Sequence, residues 1–111
     1  MIVEERIYTL HPGMAGAYIK NYEENGLQVQ LPILGNLIGY FMTEFGPLNQ
    51  VIHMWGYDSF EERTRRRGIL MKDEKWQAYL KTSRPMIRAQ ENKLLVPAPF
   101  SPAGGERPAK L

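Results

Sequence analysis

His53 and Glu44 are the two residues of this 111-residue chain whose types and positions suggest acid–base chemistry. His53 lies in an apolar stretch with the alternation of a β-strand, and an unperturbed imidazole titrates close to neutral pH. Glu44 lies in the preceding stretch, where it would be a diagonal cross-strand neighbour of His53 and could orient its ring. We therefore consider His53 as a general base oriented by Glu44. The alternative is a structural histidine that is hydrogen-bonded within a subunit interface.

Four further residues could bind a small organic molecule: Arg6, Tyr8, Tyr40 and Trp55. The guanidinium of Arg6, beside Tyr8, offers a planar fork for an anionic group. It could equally form a buried ion pair with Glu4 that holds two sheets in register. Tyr40 and Trp55 could form the wall of a site for a planar ligand, or they could pack against each other as a cross-strand pair without any ligand.

Metal ions and cofactors are not expected. The chain has no cysteine, which excludes disulfides, thiol nucleophiles and thiolate ligands. A metal site needs several ligands at matched spacing, and the only imidazoles are those of His53 and of His11, which lies in a predicted loop. A haem with His53 as its lone axial ligand is the remaining alternative.

The arginines between residues 63 and 67 have the appearance of a phosphate-binding patch. However, Glu61 precedes Arg65 by four residues, and Glu62 precedes Arg66 by the same spacing, which is that of ion pairs along a helix. The net charge is only +2, and no aromatic residues interleave with the arginines for base stacking. We therefore predict a salt-paired helix face and no nucleic-acid partner.

The composition is that of a single globular domain. With 43% hydrophobic and 23% charged residues, the chain can bury a modest core. No apolar run is long enough to cross a bilayer, and the first residues, MIVEERIYTL, alternate like a strand rather than a signal peptide. We expect a cytoplasmic protein without a membrane partner, and the lack of cysteine fits a reducing compartment.

A β-hairpin from Leu37 to Tyr57 is expected to position most of the candidate residues. The sequence Gly46-Pro47-Leu48-Asn49 has the composition of its turn. A four-residue loop would place Tyr40 opposite Trp55, on the face that also carries Glu44. The other face then carries an ordinary apolar set, namely Phe41, Thr43, Ile52 and Met54.

The rest of the chain alternates strands and helices. Period-two alternation predicts a first strand over Met1 to Leu10 and a last strand over Ile87 to Val96. A helix after the first strand has its apolar stripe between Met14 and Tyr22, and Asp58 and Asp73 are predicted N-caps of two further helices. The order β-α-β-β-α-β, with an extra helix before the last strand, predicts an α+β fold of the ferredoxin-like type.

An antiparallel sheet with helices on one face leaves its other face uncovered. The side chains expected to pack on the helices are those of Val3, Ile7, Ile52 and Met54. Those expected on the uncovered face are Arg6, Tyr8, His53 and Trp55, together with Tyr40, Met42 and Tyr57. Such a patch is larger than monomers usually tolerate, so we predict a homodimer whose two sheets face each other and enclose a cavity.

The domain is predicted to span residues 1–100 and to be followed by a Pro/Gly-rich tail over residues 101–111. Prolines at positions 97, 99, 102 and 108 prevent this region from joining a ladder or a helix, so we expect it to be extended and dispensable for the core. Phe100 is the one residue of this region that is expected to dock on a neighbouring surface.

Several segments of the chain resemble the NIPSNAP family. They are RIYTLHPG (residues 6–13), GPLNQVIHMWGYDSFEERTRRR (46–67), KWQAYL (75–80) and SRPMIRAQENKLLVPAPFSP (83–102). The resemblance implies a dimeric α/β barrel of ferredoxin-like subunits, and it brings no agreed set of catalytic residues. Related barrels include cofactor-independent monooxygenases, dehydratases and haem-handling proteins, which is an analogy of fold alone.

Three functions are open on this basis. The first is a NIPSNAP-type homodimer that binds a small organic ligand between its sheets. The second is a cofactor-independent monooxygenase or lyase, with His53 as its acid–base group and Arg6 as the anchor of the substrate. The third is an interaction module whose barrel is filled with side chains.

Overall fold

A computed structural model describes residues 1–107, so Pro108 and the rest of the predicted tail lie outside the described residues. The strands are β1 (Ile2–Leu10), β2 (Asn36–Met42), β3 (Gln50–Tyr57) and β4 (Ile87–Leu95). The helices are α1 (Ala15–Asn21), α2 (Leu27–Leu34), α3 (Phe60–Lys72) and α4 (Glu74–Ser83). A π-helical turn (Tyr22–Gly26) joins α1 to α2, and a 3-10 turn (Arg84–Met86) precedes β4.

The four strands form one antiparallel sheet in the order β2-β3-β1-β4. The predicted central position of β1 and β3 is therefore confirmed, as is the extra helix before the last strand. This order is that of the ferredoxin-like fold, and the prediction of an α+β chain of this type is confirmed. No helix among residues 1–107 is long and apolar enough to span a membrane.

The prediction of which sheet face packs on the helices is wrong. Tyr8 packs edge-on against Tyr18 of α1, with ring centroids 6.4 Å apart, and Trp55 shares a buried cluster with Leu70 of α3 and Trp76 of α4. The face beneath the helices, here the covered face, carries Glu4, Arg6, Tyr8, Tyr40, Val51, His53, Trp55 and Tyr57. The opposite face, here the open face, carries Glu5, Ile7, Thr9, Phe41, Ile52 and Met54.

The reversal follows from the bulk of the side chains. Alternation sorts the residues of a strand into two sets, but it does not say which set the helices will bury. Val51 and Trp55 are completely buried and Tyr57 is nearly so, because large apolar side chains remove the most area from water beneath the helices. The exposed aromatic patch predicted to include Tyr40 therefore does not exist, and Met42 alone of that set is largely exposed.

The loop between β2 and β3 is longer than predicted, because it spans residues 43–49 rather than four residues. Asn49, with a φ of 62°, fixes the end of this loop. Its backbone carbonyl accepts a hydrogen bond from Leu10 N–H (2.8 Å), and its side-chain Oδ1 accepts one from Gly13 N–H (3.3 Å). The role of Asn49 in the turn is confirmed, but the turn is tied to the end of β1 and is not closed on itself.

The longer loop changes the pairing of the candidate residues. Tyr40 lies directly opposite His53 rather than Trp55, because the longer loop moves the pairing of the two strands by two residues. Glu44, which was predicted to lie on a strand beside His53, is an exposed residue of the loop.

The helix starts were predicted correctly in one case and missed by one residue in the other. Asp73 caps α4 as predicted, because its Oδ1 accepts a hydrogen bond from Trp76 N–H (2.9 Å). Ser59, not Asp58, caps α3, because its Oγ accepts a hydrogen bond from Glu62 N–H (3.1 Å). Ser59 has the extended backbone that an N-cap residue adopts.

The region after β4 forms turns, so the prediction of an extended conformation is wrong as far as residue 107. Arg107 N–H donates to the carbonyl of Pro99 (2.8 Å), and Gly104, with a φ of 76°, approaches the side chain of Met1. Phe100 is 58% exposed in this arrangement, so its docking on a neighbouring surface stays a prediction.

Candidate functional site

A cavity of about 230 Å³ lies between the covered face of the sheet and the helices. Four of the six candidate residues line it, namely Arg6, Tyr8, Tyr40 and His53. The helices contribute further polar side chains, among them Tyr18, Tyr22, Gln30, Arg67, Tyr79 and Ser83. The prediction that these residues line a cavity between two sheets is therefore wrong, because they surround a space inside one subunit.

His53 is held by three aromatic neighbours in the wall of this cavity. Trp55 Nε1–H donates a hydrogen bond to His53 Nδ1 (2.8 Å). The ring of Tyr40 stacks on the imidazole with 4.6 Å between centroids and 10° between planes, and the ring of Tyr8 meets it edge-on at 4.9 Å. His53 is 2% exposed, and its Nε2 atom is buried without a hydrogen-bond partner.

This geometry determines the protonation state of His53. An indole N–H can only donate, so Nδ1 of His53 is unprotonated and the neutral ring carries its proton on Nε2. Burial, together with the positive charges of Arg6 and Arg67, lowers the pKa of His53 to about 3. At neutral pH the imidazole is therefore an N–H donor with no free lone pair. The geometry does not support the predicted role of His53 as a general base.

Arg6 is held by a buried ion pair on the covered face. Its Nη1 donates to Glu4 (3.1 Å) and its Nε to the hydroxyl of Tyr8 (2.8 Å), while Glu4 also accepts from Arg63 of α3 (2.8 Å) and Asn92 of β4 (2.9 Å). Burial by itself would raise the pKa of Glu4, but the hydrogen bond from Arg63 and the charge of Arg6 lower it overall. The Arg6–Glu4 ion pair considered as an alternative is present, but it lies within β1 and does not hold two sheets in register; Arg63 and Asn92 link Glu4 to α3 and β4.

Arg67 of α3 is a site residue that the sequence reasoning missed. Its side chain lines the cavity, and its Nη1 atom is buried without a hydrogen-bond partner. Burial and the positive charge of Arg6 lower the pKa of Arg67. A usable signal was present, because Arg63, Arg67 and Leu70 have the i, i+4, i+7 spacing of one helix face, and Leu70 is completely buried.

The prediction for the remaining arginines of α3 holds in part. Arg65 and Arg66 do form ion pairs along the helix surface, but Glu62 accepts from both, and Glu61 is not the partner of Arg65. The hydrogen bonds from Arg65 and Arg66 lower the pKa of Glu62 to about 2. Arg65 and Arg66 therefore lie on the outer surface of α3, whereas Arg63 contacts Glu4 of the sheet and Arg67 lines the cavity.

The last two candidates lie outside the wall of the cavity. Trp55 is completely buried behind His53, and it orients the imidazole by its hydrogen bond to Nδ1. Glu44 was predicted to do this, but the long hairpin loop carries it to the surface. Trp55 is thus a positioning residue, and Glu44 does not belong to the site.

Tyrosines from the π-helical turn and α4 close the cavity on the helix side. The hydroxyl of Tyr22 donates to Gln30 Oε1 (2.6 Å), and its ring stacks on that of Tyr40 at 4.8 Å. Gly26 allows this packing, since a Cβ atom there would lie only 2.8 Å from Tyr22 Cδ1 and 3.0 Å from the ring of Tyr79. Burial raises the pKa of all three tyrosines, so their hydroxyls are protonated at neutral pH.

The charges around the cavity are unevenly distributed. Arginines line it, whereas no aspartate or glutamate does. Within the described part of the chain, no three His, Asp or Glu side chains lie close enough together to hold a metal ion. The wall therefore offers an imidazole N–H and guanidinium groups, which only donate hydrogen bonds, together with neutral hydroxyls and glutamine amides, which can donate or accept.

Fold and cavity together define the chain as an α+β domain of the ferredoxin-like type, with a donor-lined aromatic cavity between its sheet and its helices. The NIPSNAP family model matches residues 3–102, and the chain belongs to the NIPSNAP family. The resemblance noted in the sequence is thereby confirmed.

Relatives of known structure and of curated sequence agree with this assignment. The crystal structure of a NIPSNAP family protein from Agrobacterium tumefaciens str. C58 is 52% identical, covers 92% of this chain and 97% of that chain, and superposes with a TM-score of 0.90. Protein NipSnap homolog 3A of Homo sapiens is 34% identical over 99 residues, which are 87% of this chain and 39% of the relative. The chain thus spans about two-fifths of the length of the curated relatives that it matches.

A more distant comparison concerns the fold alone. The crystal structure of an antibiotic biosynthesis monooxygenase is 10% identical to this chain, covers 88% of it and 99% of its own chain, and has a TM-score of 0.62. At this level of identity the two proteins share an architecture, and no residue role is carried over.

Proposed function

We propose that this NIPSNAP-family protein is a homodimer that binds one small organic molecule in the cavity of each subunit. The observation that carries the proposal is that two buried donors on the cavity wall, His53 Nε2 and Arg67 Nη1, have no protein partner, and neither does the buried hydroxyl of Tyr79 beside the same cavity. A buried donor without a partner costs about 1–3 kcal/mol, so a ligand that accepts hydrogen bonds from both would be favoured.

The size and lining of the cavity support a compact ligand. Its volume of about 230 Å³ is below the roughly 300–1,000 Å³ of pockets for drug-sized molecules. The rings of Tyr22 and Tyr40 provide apolar surface beside the polar groups. An unfilled cavity inside the subunit favours ligand binding over the alternative of an interaction module with a filled barrel.

The homodimer is proposed to form through the open face of the sheet. Phe41 is 53% exposed there, and Ile7, Ile52 and Met54 are only partly buried within the single chain. A second copy that packs its own open face on this surface would cover these apolar side chains. A stable interface of this kind buries about 1,200–2,000 Å² in total. Sedimentation velocity at micromolar concentration should show a dimer, and a monomer at this concentration would contradict the proposal.

Ligand retention tests the binding part of the proposal. The purified protein is incubated with a metabolite extract of its host, passed through a gel-filtration column and analysed by native mass spectrometry. We expect the wild-type protein to retain a small molecule, Arg67→Met to retain much less, and Arg65→Met, which alters an exposed arginine of the same helix, to behave like the wild type. If the wild type and both variants all elute without any bound molecule, the binding proposal is wrong.

A cofactor-independent monooxygenase or lyase is the second candidate. An N–H donor beside guanidinium groups in a buried cavity is an arrangement that stabilises negative charge developing on a bound oxygen. In that reaction His53 would act as a donor, and not as the acid–base group first considered. Oxygen consumption by the protein with its retained ligand would test this candidate, and unchanged oxygen and ligand levels would exclude it.

The proposal includes no metal, cofactor, nucleic acid or membrane as a partner. A cytoplasmic location stays a prediction, and cell fractionation would test it.

A further inference from the structure

Two of the unpaired groups of the cavity, His53 Nε2 and Arg67 Nη1, can only be satisfied by an acceptor. Arginine has no acceptor atom, and the Nδ1 lone pair of His53 already accepts from Trp55, so Nε2 of His53 must donate. Both Nε2 and the Nη1 atom of Arg67 are buried away from solvent, and the Tyr79 hydroxyl beside the same cavity is also unpaired. A bound water could accept from these donors, and a ligand that takes its place must bring an acceptor atom to this part of the cavity.

The charges around these donors favour an anionic acceptor. Glu4 is the carboxylate that accompanies Arg6 and Arg63, and Arg67 makes no ion pair among residues 1–107. No carboxylate of the described chain lines the cavity. An ionised acceptor makes shorter hydrogen bonds that are about twice as strong as neutral ones, and its charge would offset the repulsion between Arg6 and Arg67.

The size of the cavity favours a compact molecule. The rings of Tyr22, Tyr40 and His53 stack on one another, with 26° between the planes of Tyr22 and Tyr40 and 10° between those of Tyr40 and His53. This aromatic stack forms a rigid, mostly apolar part of the wall. The volume of about 230 Å³ leaves room for a compact ligand only.

We infer that the ligand is a compact organic acid whose carboxylate accepts hydrogen bonds from His53 Nε2 and Arg67 Nη1. The inference rests on the proposed function and specifies the chemical class of its ligand. It gives His53 the role of a neutral anchor for the carboxylate and Arg67 that of its counterion.

Calorimetric titration with matched probes tests the class of ligand. The acids are benzoate and cinnamate, their neutral counterparts are benzyl alcohol and cinnamyl alcohol, and inorganic phosphate is the anion without an organic body. We expect at least one acid to bind tenfold or more tightly than its alcohol, since a hydrogen bond to a charged group is worth about tenfold or more in affinity. Phosphate should bind more weakly than that acid.

Two substitutions of His53 separate a donor from a base. The amide N–H of Gln in His53→Gln reaches about the position of Nε2 and can donate, but it cannot act as a base. The amide of Asn in His53→Asn reaches only the position of Nδ1, where it can accept from Trp55, so the donor is lost. We expect His53→Gln to bind the acid within about threefold of the wild type and His53→Asn to bind it about tenfold or more weakly.

Substitution of arginines on α3 tests the counterion. Arg67→Met keeps much of the side-chain volume and removes the charge, so we expect acid binding to weaken about tenfold or more, with little change for the alcohol. Arg65→Met is the matched control, because Arg65 lies on the outer surface of the same helix in an ion pair with Glu62. Its affinity for both probes should equal that of the wild type.

A spectroscopic measurement on the wild type keeps the inference testable if a variant fails to fold. With ¹⁵N-labelled histidine, the Nε2–H resonance of His53 should move on addition of the acid and stay in place on addition of the alcohol. His11, which is exposed, provides the internal reference.

The outcomes distinguish this inference from the proposed function. If acids and alcohols bind equally, or if no acid binds at millimolar concentration, the inference is overturned, while ligand retention still decides the proposed function independently. If His53→Gln loses binding as completely as His53→Asn does, the donor role of His53 is wrong. If the wild type retains only a neutral metabolite, the small-molecule proposal stands and the acid is excluded.

Discussion

The covered and open faces of the sheet differ in the burial and the ion pairing of their charged side chains. Glu4 and Glu5 are adjacent in sequence, yet Glu4 is 3% exposed beneath the helices and Glu5 is partly exposed on the open face. Glu4 accepts hydrogen bonds from Arg6, Arg63 and Asn92, whereas Glu5 makes no ion pair within residues 1–107. Buried charge is thus tolerated where neighbouring elements supply its partners.

The same difference explains where a ligand site can form. On the covered face, α3 brings Arg67 to the cavity that His53 lines, and no carboxylate of the described residues lines it. On the open face, Ile7, Ile52 and Met54 form an apolar surface that Glu5 and Thr9 accompany. The polar and aromatic set of strand residues therefore surrounds the cavity proposed to bind a ligand, and the mainly aliphatic set forms the surface proposed for dimerisation.

The largest effect in this comparison is expected for Trp55→Ala. Trp55 is completely buried in the core of the covered face, so its truncation should lower the free energy of unfolding by about 3–5 kcal/mol. Phe41→Ala removes an aromatic ring from the open face and should change the free energy of unfolding by less than about 1 kcal/mol. Urea denaturation at submicromolar concentration, where a dimer contributes least, measures both. Equal losses would mean that the two faces do not differ in burial.

Neutralising the two adjacent glutamates should give the next largest contrast. Glu4→Gln leaves Arg6 and Arg63 without their buried counterion, so we expect the free energy of unfolding to fall by about 3 kcal/mol. Glu5→Gln alters a partly exposed carboxylate of the open face and should change stability by less than about 0.5 kcal/mol. Thermal denaturation followed by circular dichroism compares the two, and a stability loss for Glu5→Gln as large as that for Glu4→Gln would contradict the assignment of faces.

A smaller effect is expected from pH. The pKa of His53 is about 3 in the folded protein and 6.5 as a reference, so the unfolded chain binds more protons between these values and the stability falls as the pH falls through this window. The slope should approach about 1.4 kcal/mol per pH unit below pH 6. The lowered pKa of Glu4 adds to the loss only below its reference value of 4.5, so the interval from pH 6 to 5 isolates His53.

The control for this pH dependence is His53→Gln, which cannot titrate. Its free energy of unfolding should change much less between pH 6 and 5 than that of the wild type. An identical slope for the two proteins would show that another group is responsible.

A small effect on folding, but a loss of the proposed dimer, is expected for Ile52→Lys on the open face. A partly exposed position accommodates a lysine with a change in the free energy of unfolding of less than about 1 kcal/mol. The same charge would have to be buried in the proposed dimer, so sedimentation should show a monomer. A variant that still sediments as a dimer would place the interface elsewhere on the subunit.

The site was recovered from the sequence only in part. Strand alternation grouped Arg6, Tyr8 and His53 on one face, and the structure brings them to one cavity. Glu44 was placed beside them by assuming a four-residue turn, which failed because Asn49 is tied to β1 and the loop is longer. No rule of local pairing predicts such a tertiary contact.

The sequence by itself determined the order of the elements, the central place of β1 and β3, and the sets of side chains that share a sheet face. These features depend on local periodicity and on chain connectivity. The tertiary structure alone decided which set lies beneath the helices, that Trp55 orients His53, and that Arg67 enters the cavity. Each of these depends on how well the bulk and charge of one element complement those of another, and that is a property of contacts between residues far apart in the chain.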